Sequence, residues 1–217
     1  MRTIFWNVDT QYDFMRNDES FKGALPVPDA KEIECNLEIL TKLAKKNHIQ
    51  VINTADYHTL DSTEISSNPD FKNTFPPHCL QGTKGSEFIP ATSPETNENG
   101  VPLVSWVYNL PSYDFREISY YRNLIVYKDH FDVFKGNKQI DRILEYIKPD
   151  RAIVYGVATN ICVDFAVKGL AKRNIEVYVV EDAIKELPGA NLNEIYQEWE
   201  KIGVKLIQTN QVKKCVR

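Results

Sequence analysis

Four short stretches carry the residue types that covalent and metal chemistry need: Asp9 in "VDTQYDF", Asp56 and His58 in "TADYH", Lys128 in "VYKDHF" and Cys162 in "GVATNIC". A cysteine attacks as its thiolate, which is scarce for a free thiol near neutrality, so a nucleophilic Cys162 needs a base, a cation or a helix N-terminus beside it. Asp9 could take the thiol proton. Lys128 could hold Asp9 ionised and face negative charge developing on a substrate. Asp56 and His58 make a second set with His78 of "FPPHC". A carboxylate and an imidazole one residue apart on a loop, joined by a second imidazole, can form a facial set with open positions. Such oxygen and nitrogen donors suit zinc, manganese or iron. Glu64 or Asp70 could add a ligand, whereas His48 and His130 are assigned no metal role. Each residue also has a plainer reading as a small buried hydrophobe, a strand-end cap or a solvated loop side chain. Against it stands their shared position just after successive apolar runs.

Those runs supply the elements that would position the chemistry. Apolar segments rich in β-branched residues occur at 3–8, 49–55, 123–127, 151–157, 176–180 and 204–208, which predicts six strands. Helical spacing of Ile33, Leu37, Leu40 and Ala44 predicts a helix over 29–47, with Asp29 and Glu32 as a capping box. Ile140, Ile143, Leu144 and Ile147 mark a second. Asn160 is expected to cap a third, running to about Lys172. Leu192, Ile195, Trp199 and Ile202 mark a fourth, with Gly203 as its left-handed C-terminal cap. Strands apolar almost throughout and alternating with helices imply a parallel sheet covered on both faces, a three-layer α/β/α sandwich. In such sheets ligands bind beyond the carboxyl ends of the strands, where all four reactive stretches fall. Residues 57–122 break the pattern. They are polar and hold seven of the eleven prolines, so they read as a long loop insertion within one domain spanning 1–217.

Composition narrows the function classes. The chain has 217 residues, 42% hydrophobic and 26% charged, and a net charge of −4. These are the proportions of a soluble globular protein. A mildly acidic balance argues against nucleic acid as a partner, the one basic cluster being Lys213–Lys214 with Arg217. No apolar run is long enough for a signal-peptide core or a membrane span, so a cytoplasmic protein is expected. The four cysteines lack any C-x-x-C pair, which disfavours a disulfide framework or a zinc ribbon.

With these motifs in order, the chain resembles the isochorismatase-like cysteine hydrolase superfamily, and within it the nicotinamidases. "DTQYDF" is similar to that family's D-x-Q-x-D-F opening, "ADYH" and "FPPHCLQGTKGSE" to its metal loop, "YKDHFDVF" to its lysine segment and "YGVATNICV" to its nucleophile turn. The resemblance implies a Rossmann-like fold with Asp9, Lys128 and Cys162 as catalytic triad and Asp56, His58 and His78 as ligands of one divalent ion, zinc first. It also implies a cis peptide between Val157 and Ala158 that aims the N–H groups of Ala158 and Cys162 into an oxyanion hole. The implied reaction is hydrolysis of a small amide, nicotinamide foremost, with Phe14, Phe75 and Phe131 as candidates to pack on the ring. Hydrolysis of another amide or a ureido compound is the alternative within the family. A non-catalytic binding module is the alternative outside it. Departures bear on the substrate: Asn160 stands where nicotinamidases often carry Asp, Phe75 where Trp is frequent, and the interval from His58 to His78 is short. Whether the chain forms a homo-oligomer stays open.

Overall fold

The computed structural model describes residues 1–216; Arg217 of the basic cluster lies outside them. One parallel sheet of seven strands has the order β3-β4-β2-β1-β5-β6-β7. The strands are β1 (Thr3–Val8), β2 (Val51–Asp56), β3 (Val104–Val107), β4 (Asn123–Lys128), β5 (Arg151–Val157), β6 (Glu176–Lys185) and β7 (Lys205–Ile207). Successive strand residues point to opposite faces, so one strand feeds two cores. Ile4, Trp6, Val8, Ala152 and Val154 enter one core, and Phe5, Ile153, Tyr155 and Val157 the other. The first core is closed by α5 (Ile140–Ile147), α6 (Asp164–Lys172) and α7 (Leu192–Lys201). The second is closed by α2 (Glu34–Lys46) and α8 (Thr209–Cys215). Short helical turns α1 (Tyr12–Met15), α3 (Glu117–Tyr120) and α4 (Val133–Gly136) complete the set.

The helices follow their apolar spacing. Leu37, Leu40 and Ala44 of α2 are fully buried, each leucine contributing roughly 2 kcal/mol by leaving water. In α5 all four predicted isoleucine and leucine positions are buried. Trp199 anchors α7 to α6, its indole N–H donating to Asp164 Oδ1 at 2.7 Å. Gly203 sits at φ 82° and ends α7 as expected. No helix among the described residues is long and apolar enough to cross a membrane.

Four expectations are corrected. The sheet has seven strands, not six: β3 lies inside the 57–122 stretch, where four residues, all but Trp106 buried, make too short a run to read. It becomes a strand by pairing with β4, Val104 opposite Asn123 and Val107 opposite Val126. Asp29 makes no capping box, because its backbone is left-handed at φ 57° and its side chain caps nothing; Glu32 instead pairs with Lys185 at 2.7 Å. Asn160 is not a cap either. The chain makes a π-helical turn over Thr159–Val163 ahead of α6, and Asn160 Oδ1 accepts the Leu187 N–H at 2.9 Å. Ile202 remains exposed beyond the buried face of α7.

The order places β1 beside β5, and the connections leaving them run to opposite sides of the sheet. A crevice opens where the order switches, at the carboxyl ends of these strands. Gly156 lets the two tips approach: its φ is 119° and an added Cβ would stand 2.1 Å from the Val8 carbonyl oxygen. Gly156→Ala is therefore expected to lower unfolding stability by roughly 2–4 kcal/mol. Denaturant titration checks this, and an unchanged midpoint would remove the close approach as a constraint.

Candidate active site

Asp9 follows β1, Asp56 and Lys128 end the neighbouring strands β2 and β4 in register, and Cys162 lies in the turn after β5. All four are buried. Lys128 Nζ forms a short hydrogen-bonded ion pair with Asp56 Oδ1, stands 3.0 Å from Asp9 Oδ2 and 3.8 Å from Cys162 Sγ. Carboxylate oxygens of Asp9 and Asp56 and the Cys162 sulfur lie within 4.8 Å of one another. Thr54 fixes Asp9 from the side, its hydroxyl donating to Oδ1 at 2.7 Å. Among the described residues Asp9 Oδ2 takes no further hydrogen bond, which leaves it open to a proton from the thiol.

Burial separates the ionisation of these groups. It raises the Asp9 carboxyl, and Lys128 offsets only part of that rise. Burial also works against ionised Asp56, but Lys128 and the two imidazoles outweigh it and hold that carboxyl well below the usual range. The Cys162 thiol is pushed up by burial despite the ammonium beside it. Lys128 is held charged, its burial outweighed by Asp56 and Asp9. Two carboxylates in unlike environments take unlike roles: Asp56 stays an anion, Asp9 can carry a proton.

Asp56, His58 and His78 converge as a metal site would require. Asp56 Oδ2 is 3.6 Å from His78 Nε2 and 3.8 Å from His58 Nε2. Donors about 2.1 Å from a tetrahedral ion stand roughly 3.4 Å apart, so little movement would close the set. Both ring nitrogens of His58 are buried without a hydrogen-bond partner among the described residues, an arrangement that costs free energy unless something accepts the lone pair. His78 Nδ1 lies 2.7 Å from the Pro76 carbonyl oxygen; a carbonyl only accepts, so Nδ1 bears the hydrogen and Nε2 is free to ligate. The residues present fit a divalent ion.

The opening motif supports this geometry from one side. Gln11 Nε2 donates to the carbonyls of Asp56 at 2.7 Å and Ser86 at 2.8 Å, while its Oε1 accepts the Asp56 N–H at 2.8 Å. Asp13 accepts from the N–H groups of Cys79 at 2.6 Å and Ala24 at 2.9 Å. It thereby fixes the residue after His78. A side chain at position 85 would strike the Asp13 carboxylate at 2.1 Å, so glycine is required there. Residues 57–58 and 79–81 also bond to one another, His58 N–H to Cys79 O and Gln81 N–H to His58 O.

A narrow cleft, partly open to solvent, reaches Cys162, Asp56 and His78. Phe14, Phe75 and Phe131 line it, as do Leu25, Val27, Ile161 and Leu187, which the sequence did not single out. Val157–Ala158 is cis, and Ala158 lines the cleft beside Cys162. Glu64 also lines the cleft, outside the set formed by Asp56, His58 and His78. Asp70 is elsewhere: its carboxylate is exposed and accepts from the N–H groups of Lys72, Asn73 and Thr74, closing its own loop. His48 is exposed at the end of α2. His130 packs beside Phe131.

Two measurements test this geometry. Asp13→Ala should weaken divalent-ion binding about 10- to 100-fold through the freed His78 segment; calorimetry with zinc reads it, and unaltered affinity would contradict the clamp. Burial pushes the Glu64 carboxyl up to about 7 from 4.5, with the Phe131 N–H opposing. Between those values the folded protein keeps a proton that the unfolded chain has lost, so this group's contribution to stability falls as pH rises through the window. In metal-stripped protein, Glu64→Gln should gain in melting temperature relative to wild type as pH goes from 4.5 to 7. A pH-independent difference would refute the shift.

Comparison with known proteins agrees with this architecture. The isochorismatase domain family matches residues 115–211. The nicotinamidase/pyrazinamidase of Mycobacterium tuberculosis is 27% identical over 121 residues, 46% of this chain and 61% of the relative, so the match spans less than two thirds of that protein. The crystal structure of a pyrazinamidase of Pyrococcus horikoshii in complex with zinc superposes with a TM-score of 0.70 at 24% identity, covering 96% of this chain and 99% of that one. An N-carbamoylsarcosine amidase from Thermoplasma acidophilum gives 0.71 at 20% identity, over 96% and 97% of the two chains. At such identities the superpositions speak for the fold. The domain match falls on the half of the chain that carries Lys128 and Cys162, and the superpositions share its parallel sheet.

Proposed function

We propose that the chain is a metal-dependent amide hydrolase with a cysteine nucleophile, and that nicotinamide, hydrolysed to nicotinate and ammonia, is its substrate. One observation carries the reading: Asp9, Lys128 and Cys162 meet in a buried cluster that shares Lys128 with the Asp56, His58 and His78 set. The curated relative's name and the zinc in the Pyrococcus pyrazinamidase support the substrate and make zinc the first candidate ion, ahead of manganese or iron.

Because the thiol is held neutral, attack and deprotonation belong together. Cys162 Sγ bonds to the carboxamide carbon while its proton passes to Asp9 Oδ2. The carbonyl electron pair moves onto oxygen, which the N–H groups of Ala158 and Cys162 receive, a donation worth on the order of 3 kcal/mol per donor. Asp9 then protonates the leaving nitrogen, the C–N bond breaks and ammonia departs from a thioester. Water gives its proton to Asp9 and attacks the thioester carbon; the acid leaves and Cys162 regains its proton. Lys128 keeps Asp9 ionised at the start of each half. Phe14, Phe75 and Phe131 bind the ring and exclude water. Asp56, His58 and His78 would hold a divalent ion, and such an ion would supply Lewis acidity toward the substrate ring.

Ammonia release from nicotinamide, pyrazinamide and N-carbamoyl compounds tests the reading. Cys162→Ala should lower kcat/KM at least about 10³-fold, and intact-mass analysis of wild type should detect an acyl adduct. Turnover by the alanine variant at the wild-type rate would refute the mechanism. Release from N-carbamoyl compounds alone would move the substrate to the ureido class.

A further inference from the structure

One wall of the cleft hangs from a single hydrogen bond. Other walls are held through the backbone: the Val27 N–H donates to Phe14 O at 2.8 Å, the Phe75 N–H to Glu64 O at 2.7 Å and the Ile161 N–H to Ala158 O at 3.0 Å. Leu187, which also lines the cleft, is held differently. Strand β6 ends at Lys185, paired with Val157, and the chain then leaves the sheet. Among the described residues one hydrogen bond ties 186–190 to the rest of the protein, from the Leu187 N–H to Asn160 Oδ1 at 2.9 Å. Pro188 is exposed and has no N–H to give, and Gly189 takes a left-handed φ of 85°. Asn160 itself stands in the π-helical turn, two residues before Cys162. Such turns re-aim side chains and recur at functional sites. Here the turn frees the Asn160 amide to reach the chain leaving the neighbouring strand.

We infer that Asn160 is a positioning residue that sets the width of the cleft: by holding Leu187 beside the space in front of Cys162, it limits the ligand to a single six-membered ring and excludes fused two-ring carboxamides. The inference rests on reading the cleft as the pocket in which a ring carboxamide meets Cys162, and it adds a size limit to that reading. One turn carries both the nucleophile and the latch, so Leu187 keeps its distance from the sulfur as long as Asn160 accepts its N–H. An apolar wall discriminates by size only while it stays in place. A neutral hydrogen bond contributes about a fivefold preference for the held position. Without it, 186–190 has no polar tie to the turn, and Leu187 yields to a larger ring.

Alkylation of Cys162 reads this width without requiring turnover. Full-length protein reacts with 2-iodo-N-phenylacetamide or 2-iodo-N-(2-naphthyl)acetamide, the sulfur displacing iodide and its proton passing to buffer. Peptide mapping by mass spectrometry follows Cys162, and the rates at the exposed Cys35 supply the intrinsic ratio of the two reagents. After that correction, wild-type Cys162 should prefer the phenyl reagent about tenfold or more. Asn160→Ala should cut the preference about fivefold, and Leu187→Ala at least as much. Asn160→Asp, which keeps an acceptor, should retain it to within about twofold. Adding Asn160→Ala to Leu187→Ala should change it by less than about twofold, since both act through one wall. The inference is overturned if wild type does not discriminate or if neither reagent modifies Cys162. A preference that survives Asn160→Ala, even with a lowered melting temperature, overturns it as well, because the bond would then serve only the fold. Equal acceleration of both reagents in that variant does the same, since it marks a loosened turn instead of a displaced wall. Should Asn160→Ala fail to fold, an intact preference in Leu187→Ala overturns the inference. Wild-type ammonia release is measured separately: a size limit without hydrolysis of any amide sinks the enzymatic reading and keeps this one, and hydrolysis of nicotinamide without a size limit does the reverse.

Discussion

A single buried ammonium organises the site. Lys128 is 2% exposed, and a lone ammonium in such surroundings would cost several kcal/mol. It persists because Asp9 and Asp56 approach it from the tips of two other strands, which ties β1, β2 and β4 together at their carboxyl ends. The same cation reaches the Cys162 sulfur beyond β5. Thiol side and metal side therefore share one charge. Two carboxylates against one ammonium leave a negative excess in a low-dielectric interior, and His58 Nε2, 3.8 Å from Asp56 Oδ2, stands where a divalent cation would offset it.

The strand ends alone would not hold these groups to the tolerance that chemistry needs. Alternate residues of the opening motif each add one constraint. Asp9 faces the ammonium, Gln11 grips both sides of the Asp56 peptide, and Asp13 holds the segment after His78. Phe14 then packs 5.3 Å from the His78 ring, centroid to centroid. The spacing of two follows from the geometry: the chain turns into the short α1 just after β1, presenting its polar side chains to the loops that carry the ligands. Gly85 is the complementary concession, a missing side chain that admits the Asp13 carboxylate.

Much of this was legible in the sequence because strands buried on both faces are continuous apolar runs, and the reactive residues follow them directly. β1 and β5 begin and end where the runs do. What failed to show was whatever depends on partners distant in the chain. β3 is a strand because β4 lies beside it, not because "VSWV" alternates strongly. Asn160 resembles an N-cap in type and place, yet the π-helical turn frees its side chain to bond Leu187. Asp70 and Glu64 are both acidic loop residues six positions apart. One is exposed and serves its own turn, the other is enclosed against Phe131, and no local pattern separates them.

The neutral thiol has a consequence for how charge moves during the proposed attack. A standing thiolate would add a second uncompensated anion beside Asp9 and Asp56, and burial disfavours it even with Lys128 near. When the proton passes from sulfur to Asp9 as the carbon–sulfur bond forms, the negative charge moves from Asp9 to the substrate oxygen, so the net charge of the site with its substrate does not change. In the proposed mechanism the new charge falls on the substrate oxygen as an oxyanion, for which the Ala158 and Cys162 N–H groups are the assigned donors. Raising the Asp9 carboxyl favours this exchange, since a more basic carboxylate takes the proton more readily. Its burial, which looks like a cost to the fold, is what makes it a base.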